Sequence, residues 1–226
     1  MTAVSSLHAD LDWAAIAARF KALYTPAVCD VLDAYGLRHQ FMDPGLVALD
    51  AETKIAGPAF TILGAPDANL DTSTRMGPRV IDSFEPNVVA VYDTSGETHT
   101  GVWGELWSAG AQRMGCVGAI VDGGIRDSAL IKKIAFPIFH RFRSPADAVG
   151  RFTVIDHQTP VTVGGVRVRP GDYIFGDEDG VVVIPRDLTL EVLEKAETIK
   201  STEDDIRIAI GEGGKLIDLY KKHGRF

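Results

Sequence analysis

Two glycine-rich reversals carry the residues best suited to chemistry: Gly101-Val-Trp-Gly-Glu-Leu-Trp107 and, further on, Asp122-Gly-Gly-Ile-Arg-Asp127. Glycine lets backbone N–H groups approach an anion closely, and a helix N-terminus adds partial positive charge. Gly104 and Gly124 each stand just before a predicted helix, so together they are expected to cradle a carboxylate. Arg126 offers a planar fork that can grip the same group bidentately, through charge-assisted bonds worth about 1.5–3 kcal/mol each. Asp127 supplies hard oxygen for Mg2+ or Mn2+. Glu105 is a second acid, and paired carboxylates near one cation can divide metal binding from proton handling. Each of the three also has a plain structural reading. Asp127 suits the N-cap of a helix starting at Ser128, Arg126 suits a surface ion pair, and Glu105 suits a first helical turn.

Other motifs carry less. Asp177-Glu-Asp179 lacks the ligand spacing of a calcium loop and reads as a hairpin turn. Gly211 to Lys215 has no strand before it and Leu216 where a phosphate loop needs Ser or Thr. His99, His140 and His157 share no metal-ligand spacing, though His99 lies close to the first reversal. No nucleophile elbow is present. Trp103 and Trp107 read as packing residues in a place where either could line a pocket. Lys54, Lys132, Lys133, Lys195 and Lys200 sit near element ends or on exposed helical faces, which disfavours a Schiff-base route.

The elements that must position these residues follow from periodicity. Trp13, Ile16, Ala17, Phe20 and Tyr24 predict an amphipathic helix over about 10 to 24. A second helix follows, with Thr25 as cap, Pro26 in its first turn and Gly36 at its end. Ala59 to Leu63, Val88 to Tyr92 and Val117 to Val121 predict buried strands, with helices over Glu105 to Met114 and Ser128 to Ile134. This alternation implies an α/β core in which Arg126 and Asp127 close a strand at its carboxyl end. Arg151 to Asp156, Pro160 to Val163, Val166 to Val168, Tyr173 to Phe175 and Val181 to Ile184 predict a valine-rich β-meander. Asp187 is then expected to cap a long C-terminal helix that Gly211 closes. No linker or repeat interrupts residues 1–226, so one domain is expected.

Composition limits the function. The chain has 226 residues, 46% of them hydrophobic, and a formal net charge of -8. That charge and the scattered basic residues speak against a nucleic-acid partner. No stretch of 18 apolar residues suggests a membrane span, and residues 1–22 have no signal-peptide pattern. Cys29 and Cys116 stand far apart in apolar surroundings, which fits a reducing, cytoplasmic compartment.

The segments Cys29 to Gly36, Gly57 to Thr61, Gly104-Glu-Leu106, Asp122 to Asp127, Ser144-Pro145 and Val168 to Pro185 together resemble the RraA-like family. That family includes 4-hydroxy-4-methyl-2-oxoglutarate aldolases and regulators of ribonuclease activity. The resemblance covers most of the chain and implies a swivelling β/β/α sandwich of the α/β class. The family's aldolases carry an Asp, twenty residues, then Arg-Asp; here Glu105, one methylene longer, stands twenty residues before Arg126-Asp127. By resemblance Arg126 holds the substrate carboxylate, Asp127 binds the metal, and the amides of Leu106 and Trp107 assist beside Gly104. The resemblance also implies a homotrimer or homohexamer, with Glu197 or Glu203 reaching across an interface.

The expected activity is a metal-dependent lyase that cleaves 4-hydroxy-2-oxo acids to pyruvate, with oxaloacetate decarboxylation as a second outcome. In this scheme Glu105 poises a water as base and Mg2+ or Mn2+ stabilises the enolate. Two alternatives stand beside it: a non-catalytic regulator of a ribonuclease complex, and a lyase for another sugar-acid or aromatic-derived oxo acid.

Overall fold

Short apolar runs rich in β-branched residues build a mixed sheet, because their side chains alternate between two faces that are both covered. In the computed structural model, which describes residues 11–73 and 75–224, the strands are β1 (Val47–Ala48), β2 (Ile55–Pro66), β3 (Val89–Asp93), β4 (Gly101–Trp103), β5 (Gly118–Ile125) and β6 (Ile138–Arg143). They continue with β7 (Phe152–His157), β8 (Val161–Val163), β9 (Val166–Val168), β10 (Tyr173–Asp177) and β11 (Gly180–Ile184). The helices are α1 (Trp13–Lys21), α2 (Thr25–Ala34), α3 (Gly77–Asp82), α4 (Glu105–Arg113), α5 (Ser128–Lys133), α6 (Thr189–Gly211) and α7 (Leu216–His223).

The main sheet runs β1-β6-β5-β3-β2-β10-β11, with β4 beside β5 and β7 beside β2. Strands β2, β3, β5 and β6 are parallel neighbours. On β3, Ala90 and Tyr92 face a cluster with Phe60, Trp103, Ile138 and Phe152. Val89 and Val91 face a second cluster with Ile55, Ile120, Phe139 and Ile174. A third cluster packs α1, α2 and α6 against β10 and β11 through Phe20, Val28, Tyr173, Phe175 and Val192. The result is a mixed α/β fold with a long C-terminal helix, as expected from the alternation of strands and helices.

The site is placed by β4-α4-β5-α5-β6. Strands β4 and β5 run parallel and deliver their carboxyl ends to the starts of α4 and α5. The first turns of two helices therefore meet at one end of the sheet, where open α/β sheets bind ligands.

Several local expectations need correction. The first helix is shorter than predicted: Asp12 caps it, its carboxylate accepting from Ala15 N at 3.0 Å, and Asp10 lies outside the described residues. Thr25 is the first residue of α2 rather than its cap. The buried Asp177 carboxylate does that work from across the fold, accepting from Thr25 N at 2.8 Å and Thr25 Oγ1 at 2.7 Å. Asp187 is not a cap either, because the chain makes a 3-10 turn over Arg186–Leu188 before α6 begins at Thr189. The helix runs through Gly211, and the positive φ of 93° falls at Gly213.

The five valine-rich strands form, and β8–β9 and β10–β11 pair as successive antiparallel neighbours, but the five do not make one continuous meander. The long β2 takes β10 along its first half and β7 along its second, both antiparallel, while β8 and β9 pair only with each other. One strand long enough for two partners thus separates β7 from the β10–β11 hairpin. Among the described residues no helix is long and apolar enough to cross a membrane.

Candidate active site

Asp127 has the backbone conformation that decides where its carboxylate goes. Its φ of 56° and ψ of 31° place it in the left-handed region, uncommon for a residue with a side chain but tolerated by Asp. In that conformation the side chain makes no cap bond to α5; only the backbone carbonyl starts that helix, accepting from Leu130 N and Ile131 N. The carboxylate turns instead toward the start of α4, where Oδ2 accepts from Glu105 N at 3.4 Å. The plain reading of Asp127 as the side-chain cap of its own helix is therefore not what the structure shows.

Gly104 makes this approach possible. A Cβ on Gly104 would lie 2.7 Å from Asp127 Oδ2 and 3.2 Å from Arg126 Cγ, so a side chain there would displace both. As N-cap of α4, Gly104 also offers no side-chain acceptor to the first turn. Glu105 N goes to Asp127. The amides of Leu106 and Trp107 are among the donors that every helix start leaves without an intrahelical partner. Ser108 N is the first to close on the helix, bonding Gly104 O at 3.1 Å.

Arg126 is fixed at its backbone by a bond from its N–H to Trp103 O at 2.9 Å. Its Nε lies 3.4 Å from Asp127 Oδ2 and its Nη1 lies 3.0 Å from Asp147 Oδ1. Arg126 and Asp127 line an open cavity of about 480 Å3 with Ile125, Ser128, Arg143, Ser144 and Pro145. Their side chains are about one-third exposed, 36% and 37%, so each stays in reach of a ligand from solvent.

The donor set fits a divalent ion of the Mg2+ or Mn2+ kind. Such ions take one or two protein carboxylates and complete their shell with water and substrate oxygens. Asp127 presents one lobe of its carboxylate, Oδ1, with no partner among the described residues, which matches that arrangement. Among the described residues no three acids, histidines or cysteines group together as a closed cage would require. The charged residues lining the cavity are two arginines, Arg126 and Arg143, and one acid, Asp127, a balance that attracts an anionic ligand.

A model of the family described as RraA-like, Aldolase/RraA, matches residues 25–183. The chain belongs to this RraA-like family. It is 34% identical over 203 residues to a protein of Halalkalibacterium halodurans provisionally named 4-hydroxy-4-methyl-2-oxoglutarate aldolase, covering 89% of this chain and 91% of that one. It is 33% identical over 189 residues to protein DlpA of Legionella pneumophila, where the match covers 84% of this chain and only 30% of DlpA. The solved structure of Streptomyces coelicolor RraAS2, described as an unusual member of the RNase ES inhibitor RraA family, superposes with a TM-score of 0.76 at 27% identity, over 85% of this chain and 96% of that one.

Within this RraA-like chain the predicted residues are brought together unequally. Arg126, Asp127, Gly104 and the amides at the start of α4 converge. Glu105 contributes its amide; its carboxylate has no hydrogen-bond partner among the described residues and is not part of the cavity lining. Leu106 is 79% exposed. The Trp107 side chain turns inward, stacked on Tyr92 and edge-on to Trp103, so its possible part at the site is confined to its amide. Gly124 does not precede a helix. It lies inside β5, where a Cβ would sit 2.4 Å from Thr100 O and 2.5 Å from the Phe142 ring. Its lack of a side chain serves close strand packing, so the two-glycine cradle reduces to Gly104.

Glu197 and Glu203 are each engaged within the chain, with Arg19 and with Arg207 and Tyr24. His99 is exposed, and its Nδ1 pairs with Thr98 Oγ1 at 2.9 Å. Lys54 binds the carbonyls of Lys21 and Leu23, consistent with a structural amine. Sequence reasoning missed Asp147 and Arg143. Arg143 is the last residue of β6, in register with Ile125 at the end of β5, where the strand emerges from burial. A second cavity of about 380 Å3 lies near Lys54, Lys132 and Phe136, lined without any arginine.

Proposed function

We propose that this chain is a divalent-metal-dependent carbon–carbon lyase that cleaves 4-hydroxy-2-oxo acids to release pyruvate and also decarboxylates oxaloacetate. The observation that carries this reading is the convergence of the Arg126 guanidinium and the Asp127 carboxylate on one open cavity, 3.4 Å apart. The similarity to a protein provisionally named as an aldolase over 91% of its length supports the reaction class.

Arg126 binds the substrate's carboxylate through its guanidinium edge, and the free amides at the start of α4 add partial positive charge to the same anion. Asp127 would hold Mg2+ or Mn2+, which when bound supplies Lewis-acid stabilisation to charge developing at the 2-oxo oxygen as the bond beyond C3 breaks. Glu105 is the acid assigned to poise the water that takes the 4-hydroxyl proton, since its backbone is tied to Asp127 and its carboxylate has no hydrogen-bond partner among the described residues. Loss of carbon dioxide from oxaloacetate develops the same charge, so one arrangement of residues serves both reactions. The assembly is a homotrimer or homohexamer, acting on small 2-oxo acids in the cytoplasm.

The test is pyruvate release by purified protein before and after chelation, and again after Mg2+ or Mn2+ is restored. Arg126→Lys should raise KM strongly, because an ammonium cannot reproduce the fork. Asp127→Asn should abolish the metal response. Gly104→Ala should lower activity by roughly a hundredfold, since small misplacements of catalytic groups cost that much. Activity that survives chelation unchanged would remove Asp127 from its role. A chain that binds a ribonuclease and releases no pyruvate would favour the regulatory reading instead.

A further inference from the structure

Arg126 is held from two sides, and only one of those contacts belongs to the two glycine-rich reversals. Asp127 stands at Nε, whereas Asp147 stands at Nη1, 3.0 Å away, leaving Nη2 with no protein partner among the described residues. Asp147 comes from the loop after β6, twenty-one residues beyond Arg126 in sequence. An arginine tethered at Nη1 keeps its Nε–Nη2 edge turned toward the Asp127 side of the cavity. On that edge Nε already faces Asp127, so the donors open to a substrate carboxylate are those of Nη2.

The loop that carries Asp147 is firmly attached. Gly101 N donates to Ala146 O at 3.0 Å, Ser144 Oγ donates to His99 O at 2.5 Å, and Arg151 Nη1 donates to Asp147 O at 2.9 Å. The carboxylate itself is oriented by Ala148 N, which donates to Oδ1 at 2.7 Å. Gly101 lets the loop and the arginine close on each other: a Cβ there would lie 2.6 Å from Ser144 O and 3.0 Å from Arg126 Cβ. Asp147 thus places an oriented negative charge 3.0 Å from a long side chain that would otherwise sample many rotamers.

We propose that Asp147 is a positioning residue for the substrate carboxylate, acting through Arg126. The inference rests on the reading of Arg126 as the carboxylate-binding group. Asp147 does not touch the substrate; it limits Arg126 to the orientation that can grip one. The pair is partly exposed, so it contributes little to stability, and removal of Asp147 should leave the fold intact. The opposite role, an acid that competes with substrate for the guanidinium, predicts tighter binding when Asp147 is removed.

The experiment uses the full chain with Mg2+ and measures oxalate binding by calorimetry and KM and kcat for pyruvate release from oxaloacetate. Asp147→Ala should raise the oxalate Kd and the KM roughly tenfold while kcat stays within about twofold and the melting temperature is unchanged. Asp147→Asn, which keeps a neutral oxygen acceptor, should recover part of the loss. An unchanged or tighter oxalate Kd in Asp147→Ala overturns the proposal, as does weaker binding accompanied by a matching fall in melting temperature. Wild-type protein that neither binds oxalate nor releases pyruvate overturns the reading of Arg126, and the role of Asp147 with it. Wild-type activity with an indistinguishable Asp147→Ala variant overturns the role of Asp147 alone.

Discussion

The site residues are polar groups kept in reach of solvent, whereas His140, three positions before Arg143 on β6, is a polar group shut away from it. It is 4% exposed, and neither ring nitrogen has a hydrogen-bond partner among the described residues. Burial pushes its pKa down to about 4, and the positive charge of Arg143 adds to the effect. The folded protein therefore keeps the ring neutral at pH values where the unfolded chain, titrating near 6.5, has taken a proton. The folded-state contribution is fully present above about pH 6.5 and is lost as the pH falls toward 4. Urea unfolding at pH 7.5 and pH 5 should show a loss of about 2 kcal/mol from this group. His140→Leu should remove that part of the loss; equal losses in the variant and the parent would show that the proton goes elsewhere.

At the scale of elements, the strands and helices that carry long apolar runs were legible in the sequence, because burial on both sheet faces leaves an uninterrupted hydrophobic signature. β3, β5, α4 and α5 match their expected places within a few residues. The local caps were not legible, because a cap can come from anywhere the fold brings an acid. Asp177 reads in sequence as a hairpin-turn residue, and it is one, with its Oδ1 accepting from Asp179 N at 3.1 Å. The same buried carboxylate also holds the start of α2 across 152 residues. Asp177→Ala would leave Thr25 N and Thr25 Oγ1 buried without their acceptor, so destabilisation of about 3 kcal/mol is expected from the lost cap and the unsatisfied donors together. A urea midpoint unchanged in this variant would mean that α2 is started by other contacts. The same long-range logic hid Asp147: the pair Arg126-Asp127 and the spacing to Glu105 are local patterns, but the acid on the far side of the guanidinium is delivered by the turn from β6 into β7.

For the whole molecule, the main question is what covers the far end of the long C-terminal helix. The first half of α6 packs Val192, Leu193 and Ala196 into the cluster with α1, α2 and β10. Beyond Ile206 it loses that support: Ile208 is 61% exposed, and Leu216 and Ile217 at the start of α7 are 58% and 57% exposed. Single exposed hydrophobics are ordinary, but Ile208, Ile210, Leu216 and Ile217 all fall within one ten-residue stretch, a clustering of the kind that marks protein contacts. A second copy of the chain is the occupant implied by the proposed homotrimer or homohexamer. A net charge of -8 on every copy opposes that contact at low ionic strength, while apolar burial favours it at any. Sedimentation should accordingly show an assembly that tightens as salt is added. The paired variant Ile208→Glu with Leu216→Glu should dissociate it while leaving the circular dichroism spectrum unchanged, since neither side chain supports the chain's own core. A wild-type chain that sediments as a monomer at every salt concentration would remove the assembly from the proposed function, and the exposed end of α6 would then need another partner.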